Sequence, residues 1–221
     1  MDVSTQSART ETGFSIRLAR SPSELEQVFK FRYRIYVEEM HRKQKHADHV
    51  RKEIRDPLDD FAANFSAWDA TGKLVGVLRT NRAKAGDLGA YECFYEMNAA
   101  CSAHPDRTSI TTRLMILPEC RGSSLAIEMA VSAYDHGLEQ GVTHNFIDCN
   151  DYLVPFFKGL GFVQYLPKKY HEEYGAVTCM RLNVFDREHL ERISSPFLPS
   201  LIRWQTSGRQ RAPIFATLAP V

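Results

Sequence analysis

The first clear pattern along the chain is helical. Ser21-Pro22 supplies an N-cap followed by proline at the first helical position. From there Leu25, Val28, Phe29, Tyr36 and Met40 recur at helical spacing, which predicts a helix to about Met40. At about 100° per residue, Arg32 falls near the centre of this apolar stripe and Arg34 on the opposite side. A guanidinium on a buried face requires a carboxylate or phosphate partner.

Alternation marks the strands. FSIRL at 14–18 predicts a first strand, and the basic run HRKQKHADHVRK at 41–52 reads as a loop or short helix. Residues 64–68 form a short strand, Asp69 to Gly72 a hairpin turn, and KLVGVLRTNRA a second strand with Arg79 near its end. Residues 85–103 carry no readable pattern. SITTRLMIL at 109–117 is a strong strand ended by Pro118, and a helix follows from about Ser123 to Gln140. HNFIDCN is another strand, DYLVPFFKGLGF a short helix ending at glycine, and VQYLPKKY and AVTCMRLNV complete the sheet. The order β-α-β-β-β-α-β-α-β predicts an α/β (α+β) fold, a mixed central sheet with helices on both faces. The expected organisation is a flexible tail at 1–13, one domain at 14–186, and a C-terminal extension at 187–221 rich in Pro, Ser and Arg, read as an appended tail with one short helix.

Composition narrows the classes. A chain of 221 residues, 43% apolar and 25% charged, suffices for one globular core. A formal net charge of +1 argues against broad nucleic-acid binding. No apolar run reaches membrane-spanning length, and the N-terminus lacks a secretory signal pattern. Cys93, Cys101, Cys120, Cys149 and Cys179 are odd in number and scattered, which predicts a reducing cytoplasm and no metal site. His41, His46 and His49 lack accompanying ligands and read as solvated.

The run ILPECRGSSLAIEMA carries the first chemistry. Gly122, Ser123 and Ser124 let a ligand approach the backbone, a helix N-terminus offers unpaired N–H groups, and Arg121 adds a donor fork, together a site for an anion. The alternative is an ordinary strand-to-helix turn. This run, with the following strand and the helix ending GLGF, resembles motifs A and B of the GNAT acyltransferase superfamily. The resemblance covers Phe14 to roughly Val184 and implies a mostly antiparallel sheet. It also implies a strand at Met115 and Ile116 that pairs with pantetheine. The turn Arg121-Gly122-Ser123-Ser124, with Asn150, would hold the phosphate of coenzyme A or of an acyl carrier. Serine at the last turn position crowds it slightly, which favours the carrier with its single phosphate.

FRYRIYVEEM, DPLDDFAANF, GKLVGVLRT and TTRLMILPECRGS together resemble a narrower branch, the acyl-homoserine-lactone synthases and long-chain N-acyl amino acid synthases. On that resemblance Arg32 pairs with Asp56 or Asp59 in a network that fixes the wall of an acceptor pocket. Arg79 and Arg113 join it or face an acceptor carboxylate. The alternative is that all five only hold the fold. Lactone synthases carry a glutamate where Ile110 stands, and a tryptophan without counterpart in 37–45; both departures argue against S-adenosylmethionine as acceptor. The implied function is transfer of a medium or long fatty acyl group from acyl carrier protein or acyl-coenzyme A to the amine of an amino acid. No cofactor is held permanently, and acyl-phosphopantetheine is the donor. The alternatives are a lactone-type synthase, a peptide N-acyltransferase, or a non-catalytic acyl-pantetheine-binding domain.

Attack of a neutral amine on a thioester needs orientation and proton routes. The expected catalytic residues are Arg113, Arg79, Asp148 and Asp151, with His144 a further base candidate. Phe157 stands where many acetyltransferases of the superfamily carry a tyrosine, and Tyr36 belongs with it to the pocket. Phe29, Phe31, Tyr33, Tyr36, Phe94 and Tyr95 either line an acyl pocket or fill the core. Cys149 as nucleophile needs a histidine partner, and His144 sits an odd number of residues away on the same strand, hence on the opposite face. Arg42, Lys43, Lys45, Arg51 and Lys52 are either a solvated run or a surface that steers an acidic carrier protein. Arg203, Arg209 and Arg211 do the same or, with Phe197, Leu198, Leu201, Ile202 and Trp204, touch anionic lipid peripherally.

Overall fold

The computed structural model describes residues 13–207. The expected flexible tail, all but Gly13, lies outside the described residues, as do Arg209 and Arg211. The elements run β1 (Ser15–Leu18), α1 (Pro22–Tyr33), β2 (Ala47–Asp48), β3 (Glu53–Ile54), β4 (Ala63–Trp68), β5 (Leu74–Arg82), α2 (Ala90–Phe94), α3 (Met97–Ala100), β6 (Thr108–Ile116), α4 (Leu125–Glu139), β7 (His144–Cys149), α5 (Val154–Leu160), β8 (Val163–Gln164), β9 (Lys169–His171), β10 (Gly175–Asn183), α6 (Arg187–Arg192) and α7 (Leu198–Thr206). Eight strands form one sheet in the order β1-β4-β5-β6-β7-β10-β8, with β9 on β10. Every pairing is antiparallel except β6 with β7. This is the expected mixed, mostly antiparallel architecture.

Two irregularities position the site. β6 and β7 are paired only from Thr108↔His144 to Ile110↔Phe146, although they continue to Ile116 and Cys149. The strands therefore part and leave a cleft through the middle of the sheet. On its other edge β6 slips register against β5 between Val77↔Met115 and Arg79↔Thr112, and Arg113 takes a left-handed φ of 61° there. This is a β-bulge, which re-aims a side chain at the cost of one ladder position.

α4 covers one face of the sheet. Its Met129 sits so close to β5 that a Cβ on Gly76 would lie 2.8 Å from the Met129 sulfur, so glycine is required there. α5, α6 and α7 extend this layer around Tyr134, Ile147, Met180 and Leu182. α1, α2 and α3 cover the opposite face, where Tyr95 and Met97 pack on Ile110, Phe146 and Cys179.

α1 starts as its sequence dictates: Ser21 and Glu24 form a reciprocal capping box, and Pro22 follows. The helix does not continue as α to Met40. Residues Arg34–Glu39 form a π turn, closed by the Met40 amide on the Ile35 carbonyl at 3.0 Å. Residues 41–52 are neither a plain loop nor a short helix. They hold β2, paired with β3, and the turn between is fastened by Asp48, which accepts from the Val50 and Arg51 amides. The unreadable 85–103 stretch contains α2 and α3.

The largest correction concerns the C-terminal extension. Its described part forms two helices, and Leu190, Phe197 and Leu201 are buried in the same apolar cluster as Tyr134 and Met180. The segment through α7 is integral to the core, because its apolar residues return to one face despite a Pro- and Ser-rich composition.

Candidate active site

The cleft between β6 and β7 opens into a cavity of about 540 Å³ that passes from one face of the sheet to the other. On the α4 side its walls are apolar. Ala126, Ala130, Ala133 and Gly137 leave a shallow groove down α4, opposite Ile116 and Ile147. The expected aromatic acyl pocket is not found: of the six aromatics only Tyr36 lines the cavity. Phe29 and Phe31 pack in the core near Phe65, and Phe94 and Tyr95 lie in the cluster on the opposite face.

On the α1 side the wall is charged. Asp56 begins a tight 3-10 turn at Pro57–Phe61, and a capping box fixes both acids: Asp56 accepts from the Leu58 amide, and Asp59 accepts from the Asp56 amide. Arg32, fully buried, donates to both Asp59 oxygens at 2.9 Å and to Asn64 Oδ1 at 2.5 Å. Arg79, also fully buried, donates to Asp56 at 2.5 Å and to Thr112 Oγ1 at 3.0 Å, with Asp59 at 3.3 Å. Arg113 donates to Asp56 at 2.8 Å, to Gln44 Oε1 at 2.8 Å and to the Tyr174 hydroxyl at 3.2 Å. The sequence offered Arg32 a choice of acids, and the geometry selects Asp59.

Three guanidiniums face two carboxylates, so this buried wall carries one unbalanced positive charge. Burial alone would raise the Asp56 carboxyl, but Arg79 and Arg113 hold it down to about 2. Burial pulls Arg32 down to about 10 against the pull of Asp59. The Nε atoms of Arg32 and Arg113 and one Nη of Arg79 are buried without a hydrogen-bond partner among the described residues.

Arg113 is the member that reaches the cavity, where Tyr36, Arg42, Tyr91, Asp148 and Tyr174 surround it. The bulge explains why: it turns Arg113 out of the regular alternation of β6. Tyr36 and Tyr174 pack 5.7 Å apart, and the Arg113 guanidinium lies 5.4 Å from the Tyr36 ring centre. Asp148 accepts a 2.5 Å hydrogen bond from the Tyr95 hydroxyl, and burial pushes its carboxyl above the ordinary aspartate value. Asn150 donates to the Tyr174 and Ala176 carbonyls, bracing the end of β7 against β10 at the cleft.

On β6 the Leu117 amide donates to Val75 of β5. By the two-residue repeat of a ladder, the Met115 amide also turns toward β5, while those of Leu114 and Ile116 turn into the cleft. At the mouth Arg121 donates to the Ile116 carbonyl at 3.0 Å and pairs with Glu39 of the π turn at 2.6 Å. Gly122 has a φ of +82°, and α4 begins with no side-chain cap from Ser124; its first amide, that of Leu125, donates to Ser123 Oγ at 3.3 Å. Gly122 and Ser123 line the cavity; Ser124 follows at the turn. Phe157 lines the apolar side.

Asp151 is not brought in. It is exposed, bound to Lys168 at 2.5 Å, and does not line the cavity. His144 contacts Cys101 and Thr143 on the face opposite Cys149. Cys149 does line the cavity, yet burial pushes its thiol up to about 12, which leaves it un-ionised. No cluster of metal-ligating side chains occurs among the described residues. Gln44, Tyr91 and Tyr174 enter the site unannounced; nothing in their local sequence marks them.

A family model described as N-acyl amino acid synthase FeeM matches residues 27–183. No curated protein sequence matches the chain significantly. Among solved structures, FeeM from uncultured soil microbes superposes with a TM-score of 0.63 at 14% identity, covering 84% of this chain and 97% of that one. The coenzyme A-dependent acyl-homoserine lactone synthase BjaI, solved with SAM and isopentyl-CoA, gives 0.61 at 19% identity over 82% and 90%. The AHL synthase LasI gives 0.62 at 13% over 77% and 90%.

Proposed function

Because the chain belongs to the family of the N-acyl amino acid synthase FeeM and is an acyltransferase, we propose that it moves a medium or long fatty acyl group from a phosphopantetheine thioester to the amine of an amino acid. The observation that carries this reading is the two-sided cleft, apolar against α4 and net positive around Arg113.

The pantetheine arm lies along the unpaired edge of β6, hydrogen-bonded as a missing strand would be. Its phosphate meets Arg121, Gly122, Ser123 and the first amides of α4, and takes the place of Glu39 on Arg121. The acyl chain enters the groove of Ala126, Ala130 and Ala133. The acceptor carboxylate supplies the third anion that the three-arginine wall lacks, close to Arg113 and Arg42. Tyr36 and Tyr174 flank its side chain. Arg79 acts through Asp56, which it shares with Arg113, and so positions Arg113.

The amine attacks the thioester carbonyl, forming the C–N bond, and the C–S bond breaks. An amide of the cleft edge, Leu114 or Ile116, donates to the carbonyl oxygen as charge develops on it. Asp148 takes the amine proton; its raised carboxyl pKa makes it a stronger base once ionised. The pantetheine thiolate leaves and takes a proton from solvent at the mouth. Lys43, Lys45, Arg51 and Lys52 lie on the β2–β3 side and steer an acidic acyl carrier protein to the cleft.

The test is release of free thiol from long-chain acyl carrier protein and acyl-coenzyme A against a panel of amino acids, with products weighed by mass spectrometry. Amine-dependent release with an acyl-amino-acid product is expected. Tight donor binding without release for any amino acid would overturn the reading in favour of a binding module or a peptide acceptor.

A further inference from the structure

The C-terminal segment reaches the acyl corridor. The lining of the cavity follows α4 from Ala126 through Ala130 and Ala133 to Gly137. Those eleven steps span about 16 Å at 1.5 Å per residue. An extended chain advances about 1.2 Å per bond, from ~3.6 Å per three-bond peptide unit, so the groove matches roughly a dozen methylenes. Toward its far end, about one turn before Gly137, stand Tyr134 of α4 and Phe197, the residue that leads into α7. Their rings stack with centroids 4.4 Å apart at 6°, both are buried, and both line the cavity. Leu190 and Leu201 belong to the same apolar cluster beyond this stack and do not line the cavity.

We propose that the Tyr134–Phe197 stack is the end-stop that sets the longest acyl chain this protein accepts. The proposal rests on the acyl-transfer reading above.

The stop is held on every side. The Tyr134 hydroxyl donates to the Val184 carbonyl at 2.6 Å. Ser195 Oγ donates to the Leu160 carbonyl at 2.6 Å and accepts from the Phe197 amide at 3.1 Å. The Phe197 carbonyl accepts from Leu201, the first turn of a helix that packs on α4. A ring fixed this way in a close-packed interior does not swing aside for extra methylenes. Phe197 lies outside residues 27–183, the part matched by the family model.

Two variants move the stop in opposite directions. Phe197→Ala removes the ring and opens the end. Gly137→Ala places a methyl at the end, where a Cβ would lie 3.8 Å from Val142, an ordinary contact that keeps the fold. Each protein receives an equimolar mixture of saturated acyl donors from short to long, presented both on coenzyme A and on acyl carrier protein, with the preferred amino acid, and products are ranked by mass. Phe197→Ala is expected to raise the longest accepted chain by roughly two to four carbons, at about 1.2 Å per bond. Gly137→Ala is expected to lower it by about one or two carbons on the same scale. Phe197→Leu serves if the alanine variant fails to fold, with the same direction and a smaller step. Transfer by the wild type with an unchanged length profile in the folded variants would overturn the end-stop and leave the acyl-transfer reading standing. Absence of transfer from every donor by the wild type would overturn both.

Discussion

The two sides of the β6–β7 cleft are built by opposite means. Toward α1 the wall is Arg32, Asp59, Arg79, Asp56 and Arg113, charged and tied by hydrogen bonds and ion pairs of 2.5 to 3.3 Å. Toward α4 the wall is alanine and glycine, without a charge. The first side is specific because each group is aimed, and it is intolerant because every buried ion depends on its partners. The second is specific only by volume. One sheet thus keeps a charged surface and an apolar surface apart by a single pair of strands.

Removal of an acid should break the charged side most severely. Asp56→Asn leaves three guanidiniums facing one carboxylate, and it should cost about 3–5 kcal/mol in urea denaturation. The pH dependence follows the same residue. Its folded pKa is depressed to about 2, so its contribution is complete above the unfolded value and is lost as pH falls through about 2. Wild-type stability should therefore fall steeply in acid, and Asp56→Asn should flatten that limb.

Arg113→Met comes next and separates fold from function. It leaves two cations with two anions, so the domain should still unfold cooperatively, while kcat/KM for the amine falls by about a hundredfold or more, about 2.7 kcal/mol of transition-state stabilisation. Arg32→Met, at a residue of that wall that does not line the cavity, should show the reverse, lost stability with turnover intact. Equal unfolding by both would dissolve the distinction between reading and bracing arginines.

Asp148→Asn should lower turnover by about ten- to a hundredfold, in the range of general-base effects. It should also remove a rise in kcat/KM with pH whose midpoint lies above the ordinary aspartate value, the direction that burial imposes. Asp151→Asn should have the smallest effect. It breaks an exposed pair with Lys168 and should leave both the urea midpoint and the rate unchanged.

The charged side was more legible than the apolar one. Arg32 announces itself by standing in an apolar helical stripe, and the capping signals around Ser21 set the helix phase that makes this readable. Asp56 and Asp59 came only from a resemblance, since nothing local tells an acid that caps a turn from one that also binds arginine. Asp148 and Asp151 look alike in sequence; the strand places one in the cleft and the following turn sends the other to solvent. The π turn at 34–39 has no residue signature, although it carries Tyr36 and Glu39 into place. Of the two readings the sequence left for the aromatics, core filling holds for most, and the corridor itself went unseen because the row from Ala126 to Gly137 reads as an unremarkable helix face. Phe197 was hidden by the composition of its segment, and Tyr174 by its distance of some sixty residues from Arg113.

The three-residue pairing of β6 with β7 has a mechanical consequence. Among the described residues it is the only strand pairing that joins the half-sheet β1-β4-β5-β6 to the half-sheet β7-β10-β8, extended by the Thr143 and His144 amides on the Arg107 carbonyl. A ligand seated in the cleft spans that seam and works as a strut between the halves. Amide exchange along 111–116 should slow when donor binds, and the two halves should then open as one unit where the empty protein opens as two.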